Sequence, residues 1–158
     1  MKWARKIGFN FGLTSGVITT LGLMVGLHSS TQSKIVVIGG VLTIAVADAL
    51  SDSLGIHLAV ESQNVSDSSL IWEATFSTFL YKFIFSSIFI IPILLLPLKK
   101  AIIVSIVMGL YIIFANSLYL ARHQNVPPEK VIIEHLILTL SVIIISHLIG
   151  CGISHFFC

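Results

Sequence analysis

Two carboxylates four residues apart, Asp48 and Asp52, interrupt an otherwise apolar run from Ile35 to Val60 that also holds His57. On a helix this spacing puts both acids on one face, one turn apart. An ionised carboxylate in lipid costs at least about 2.5–3.5 kcal/mol on insertion scales, so the pair demands a partner, water or a cation. A helix–helix hydrogen bond through protonated carboxyls is the plainer reading. An oxygen-rich seat for a cation or proton is the sharper one, and the surroundings favour it. Ser51 and Gly55 lie on nearly the same face, Gly55 as a place where another backbone can come close. The preceding apolar run adds Thr14, Ser15, Thr19 and Thr20.

His147, in the middle of the last apolar run, can ligate a metal or relay a proton. The expected metal set is therefore Asp48 and Asp52 with Ser15 and His147. His57, nine positions beyond Asp48, falls on the opposite side of its helix, and Glu134 and His135 read as interfacial. Met24 reads as packing. A second constellation, Glu61, Asp67 and Glu73, recurs every six residues in a polar stretch. It reads as a solvated loop or as an electrostatic collector of cations.

The elements that must position these residues are membrane spans. Of 158 residues, 56% are hydrophobic and only 10% charged, with a mean hydropathy of +1.02. A soluble domain carries roughly 25% charged residues because its surface faces water. About 20 apolar residues cross a hydrocarbon core, and five runs qualify: 7–27, 35–60, 76–98, 101–121 and 131–157. The expected fold is all-α, a polytopic bundle of five transmembrane helices forming one domain, with a short polar linker over 61–75. The basic N-terminus could imitate a signal peptide, but its polar residues and the lack of an Ala-x-Ala site read as a retained first span. Gly12, Gly16 and Thr20 repeat at a four-residue spacing that suits close helix packing.

Lys2, Arg5, Lys6, Lys82, Arg122 and Lys130 against Lys34, Lys99 and Lys100 favour a cytoplasmic N-terminus. The scattered cations, net +2, suggest no nucleic-acid partner. Cys151 and Cys158 form no CxxC motif and read as buried thiols in the last helix. Asp-x-x-x-Asp also occurs in CDP-alcohol phosphotransferases, but no Asp-Gly stands upstream here, and position 44 is Ile where that motif has a glycine. An intramembrane aspartyl protease needs aspartates from two helices. No enzymatic activity is expected.

GVITTLGLMVGL (Gly16 to Leu27) resembles the first helix of the vacuolar iron transporter family, and ADALSDSLGIHLAVESQ (Ala47 to Gln63) resembles its second-helix signature. IIPILLLP (Ile90 to Pro97) and SHLIG (Ser146 to Gly150) are weaker echoes. The resemblance implies a homodimer of five-helix subunits whose first two helices line the cation path near the dimer interface. It implies export of Fe²⁺ or Mn²⁺ from the cytosol in exchange for protons, with the metal as transported substrate and no tightly bound cofactor. Short loops suit the inner membrane of a prokaryote. The departures are Ser15 for a first-helix Asp, Asp48 for a Gly, Asp52 for a Met, Ile56 for a Glu and His147 for a tyrosine-like position. The family's glutamate-rich cytoplasmic helices have no counterpart in 61–75. The alternative expectation is a structural or regulatory membrane protein derived from this family, without transport.

Overall fold

Left-handed residues, a side-chain cap and prolines mark most of the helix limits. The first helix, α1 (Trp3–Thr31), closes with Gln32 N–H bonded to the His28 carbonyl at 3.0 Å, Gln32 itself being left-handed (φ 50). One further residue, Ser33, turns the chain into α2 (Lys34–Glu61). Asp67 caps α3 (Ser68–Ser87) by accepting from the Ser69 N–H at 2.9 Å. Pro92 has no N–H, and its ring crowds the carbonyl four residues back, so the helix breaks at Ile88–Phe89 and resumes as α4 (Ile90–Leu95). Pro97 caps α5 (Leu98–Gln124), and left-handed Asn125 (φ 54) ends it. Pro128 opens α6 (Pro128–Phe157), where its missing N–H costs nothing. The computed structural model describes residues 3–63, 65 and 67–157, and among them there is no strand.

Among the described residues, five stretches are long and apolar enough to cross a membrane, α3 and α4 forming one of them (Ser68–Leu95). The chain is an all-helical, multi-pass integral membrane protein. At 1.5 Å per residue the 29 residues of α1 span about 43 Å, more than a hydrocarbon core of about 30 Å. Arg5 and Lys6 therefore reach beyond the lipid at one end.

The third span differs from the expected 76–98. Asp67 starts the helix at Ser68, so most of the expected linker is helical, and Pro92 divides the span. Lys2 and Cys158 lie outside the described residues. Cys151 is exposed on the outer surface of α6 rather than buried.

The bundle is centred on α1, which packs against α2, α3, α5 and α6. Gly8, Gly12 and Gly16 form the seam with α3. A Cβ at Gly12 would stand 2.8 Å from the Thr78 carbonyl oxygen and 2.9 Å from the Lys82 nitrogen. One at Gly16 would stand 3.0 Å from the Lys82 carbonyl oxygen. Small residues let the two backbones touch, and they seat α3 so that Lys82 enters the bundle. Among the described residues, a Cβ at Gly55 would meet no atom of another element within 4 Å, so the expected close approach does not occur there.

On α2, Val41, Ala45, Ala49 and Ser53 are buried, while the adjacent row Leu42, Val46, Leu50, Leu54 and Leu58 is exposed. Asp48 and Asp52 belong to a third row at the same spacing, beside the buried one, and are partly covered.

Candidate functional site

The four-residue repeats that pack α1, α2 and α3 bring one polar side chain after another to the same depth. Ser15, Asp48 and Lys82 each stand near the middle of their spans. Lys82 is completely buried, and its ammonium is the centre of the cluster. Its Nζ lies 2.6 Å from Asp48 Oδ2, is paired with Asp52 Oδ2, and donates to Ser15 Oγ at 2.9 Å. An ammonium has three protons, and here each has an oxygen.

The hydroxyls complete the arrangement. Ser15 Oγ accepts from Lys82 and donates to Asp52 Oδ2 at 2.7 Å, so its one proton and one lone pair are both used. Thr19 Oγ1 is 3.1 Å from Asp48 Oδ2 and 2.8 Å from the Ser15 carbonyl, and its single proton serves one of these at a time. The carboxylates are not sealed: their side chains are 29% (Asp48) and 24% (Asp52) exposed. Asp48 also borders an open groove of about 610 Å³ between α1 and α2, with Leu23, Leu27, Gly40 and Thr43 among its walls.

Of the expected site residues, Asp48, Asp52 and Ser15 come together and His147 does not. His147 Nδ1 is 2.7 Å from Ser29 Oγ, and its ring lies beside Cys151 Sγ one turn along α6. Ser29 is fourteen residues beyond Ser15 on α1, about 21 Å along the axis. The register of α6 against α1, set where Gly150 meets the Gly26 backbone, holds His147 at the end of the bundle. Met24 is fully buried in the apolar core, as read.

The expected collector is dispersed. Glu61 ends α2 exposed, Asp67 is spent as a helix cap, and Glu73 pairs with Arg5 Nε at 2.7 Å. His57 lies away from the carboxylates, with Nδ1 3.0 Å from Thr75 Oγ1 and its ring edge-on to Trp72. His135 is not merely interfacial, since its Nδ1 meets Ser117 Oγ at 2.8 Å. Among the described residues, no three His, Cys, Asp or Glu side chains converge as a metal-holding group.

Sequence reasoning missed Lys82 as a member of the site. Its signal was present: a lone charge in an apolar span needs a partner of opposite sign, and only one other span holds acids in its interior.

In comparisons with known proteins, the chain matches no protein-family model, no curated protein and no solved structure.

Proposed function

We propose that this protein transports divalent cations, with Asp48 and Asp52 as the seat of the ion and Lys82 as the charge that gives way to it. The observation that carries the reading is the wholly buried Lys82 ammonium held on three oxygens from α1 and α2. Oxygens that converge on one cation can hold another in its place. With Lys82 neutral, two carboxylates and the hydroxyls of Ser15 and Thr19 form a hard, anionic donor set. Ion entry and proton retention by Lys82 then exclude each other, which couples cation movement to proton movement in the opposite direction.

Every donor is oxygen. With His147 and Met24 elsewhere, the set suits Mn²⁺ better than Fe²⁺, whose preference shifts toward nitrogen and sulfur ligands. The resemblance of the first two helices supports export from the cytosol by a homodimer, and the distribution of Lys and Arg supports an N-terminus inside.

Purified protein in liposomes is expected to move Mn²⁺ against a pH gradient, and Asp52→Ala is expected to abolish that flux. Lys82→Gln should still bind Mn²⁺, because both carboxylates remain and no ammonium competes for them. One observation favours a second reading, a structural protein without transport: Lys82 already satisfies both carboxylates. Absence of flux for every divalent ion tested refutes the transporter and leaves that reading.

A further inference from the structure

At the opposite end of α1 from Arg5, a groove of about 470 Å³ opens between α1, α5 and α6. Its walls are sorted by depth. On α5, Lys99 stands at the helix start, with Ile102 and Ile106 below it on the same face. On α6, which runs the other way, Ile143 and Ile144 lie below His147 and Cys151. On α1, Val25 lies below His28, Ser29 and Gln32. Polar groups form a rim at the helix ends, and branched apolar side chains continue from it toward the middle of the bundle.

The charge at this end has one sign. Of the seven acids in the chain, Asp48 and Asp52 sit at mid-depth, and the other five lie in 61–73 and 129–134, at the far ends of these helices. Among the described residues, Lys34, Lys99 and Lys100 share the near end with no acidic side chain. The start of α5 has no side-chain cap on its first N–H groups, which adds a partial positive charge. His28 lines the rim, and its Nδ1 is buried with no hydrogen-bond partner among the described residues.

We propose that this groove binds a phospholipid with an anionic headgroup, the phosphate on the rim at Lys99 and His28 and an acyl chain along the isoleucines. The shape and the sign are both needed: an isolated phosphate has no use for the apolar wall, and a neutral lipid has none for the basic rim. A soft metal on His147 and Cys151 would have only two such ligands, which the groove's chemistry favours less. The proposal stands apart from cation transport, because none of these residues touches Asp48, Asp52 or Lys82.

The test uses the whole chain in neutral detergent, with thermal unfolding followed as phosphatidylglycerol, phosphatidylcholine of the same chains, or inorganic phosphate is added. Phosphatidylglycerol should raise the midpoint in a saturable way, and the other two should not. Lys99→Gln should weaken this binding about fivefold, the worth of one basic residue at a lipid surface. Ile144→Trp, on an exposed side chain at the groove, should weaken it by blocking the chain without removing charge. Lys100→Gln, adjacent but not lining the groove, should leave it unchanged. Equal stabilisation by phosphatidylcholine or by phosphate overturns the proposal. So does an equal effect of Lys99→Gln and Lys100→Gln, which would mean surface charge without a groove. Should Lys99→Gln fold poorly, an Ile144→Trp variant that binds phosphatidylglycerol like the parent overturns it alone.

Discussion

Replacing Lys82 with methionine keeps the unbranched stem, one atom shorter, and removes the charge. In the parent, two carboxylates face one ammonium, a net formal charge of −1 when all are ionised. Lys82→Met leaves two like charges one turn apart, whereas Asp52→Asn leaves a neutral ion pair of Lys82 with Asp48. Removing one partner of a buried pair typically costs about 3–5 kcal/mol. The carboxylates are about a quarter exposed, which places the cost toward the lower figure. For a chain of this size each kcal/mol moves the unfolding midpoint by about 2–4 °C. Lys82→Met should therefore melt about 6–20 °C below the parent, while Asp52→Asn shifts little. In the double variant Lys82→Met with Asp52→Asn, much of the loss should return, because only one carboxylate remains and Ser15 and Thr19 can still reach the site. Thermal unfolding in detergent, read by tryptophan fluorescence, measures all three. If Asp52→Asn destabilises more than Lys82→Met, the charge reasoning is wrong, and Asp52 matters chiefly as the partner of Ser15.

Gly12→Ala puts a methyl against backbone atoms of Thr78 and Lys82 that cannot rotate away. It should cost about 1–3 kcal/mol, about 2–12 °C in the same melt. Gly55→Ala meets nothing within the subunit and should be neutral or slightly stabilising, because alanine favours the helix. His147→Ala should leave Mn²⁺ flux in liposomes unchanged, since His147 sits with Ser29 and Cys151. A loss of flux comparable to that of Asp52→Ala would return His147 to the ion path.

Five spans, their approximate limits and the shared face of Asp48 and Asp52 were legible in the chain because hydropathy and helical period are local properties. The third span read as one run over 76–98; its break before Pro92, and its earlier start at Ser68 on a cap at Asp67 inside a polar stretch, emerged only in the structure. Which helices meet, and at what height, is not local. The ridge of Gly12, Gly16 and Thr20 was visible, but nothing in its spacing says that α3 is its partner or that Gly8 extends the seam. That contact drives Lys82 between the carboxylates and makes a triad of what read as a pair. The same global register leaves His147 near the bundle end, because α6 meets α1 at Gly26 and Ser29 instead of Ser15. The sequence by itself determined that charge would be housed in the membrane, since the cost of bare carboxylates in lipid admits no other outcome. Only the tertiary structure decided what compensates them, because the compensating charge comes from another helix whose height is set by packing.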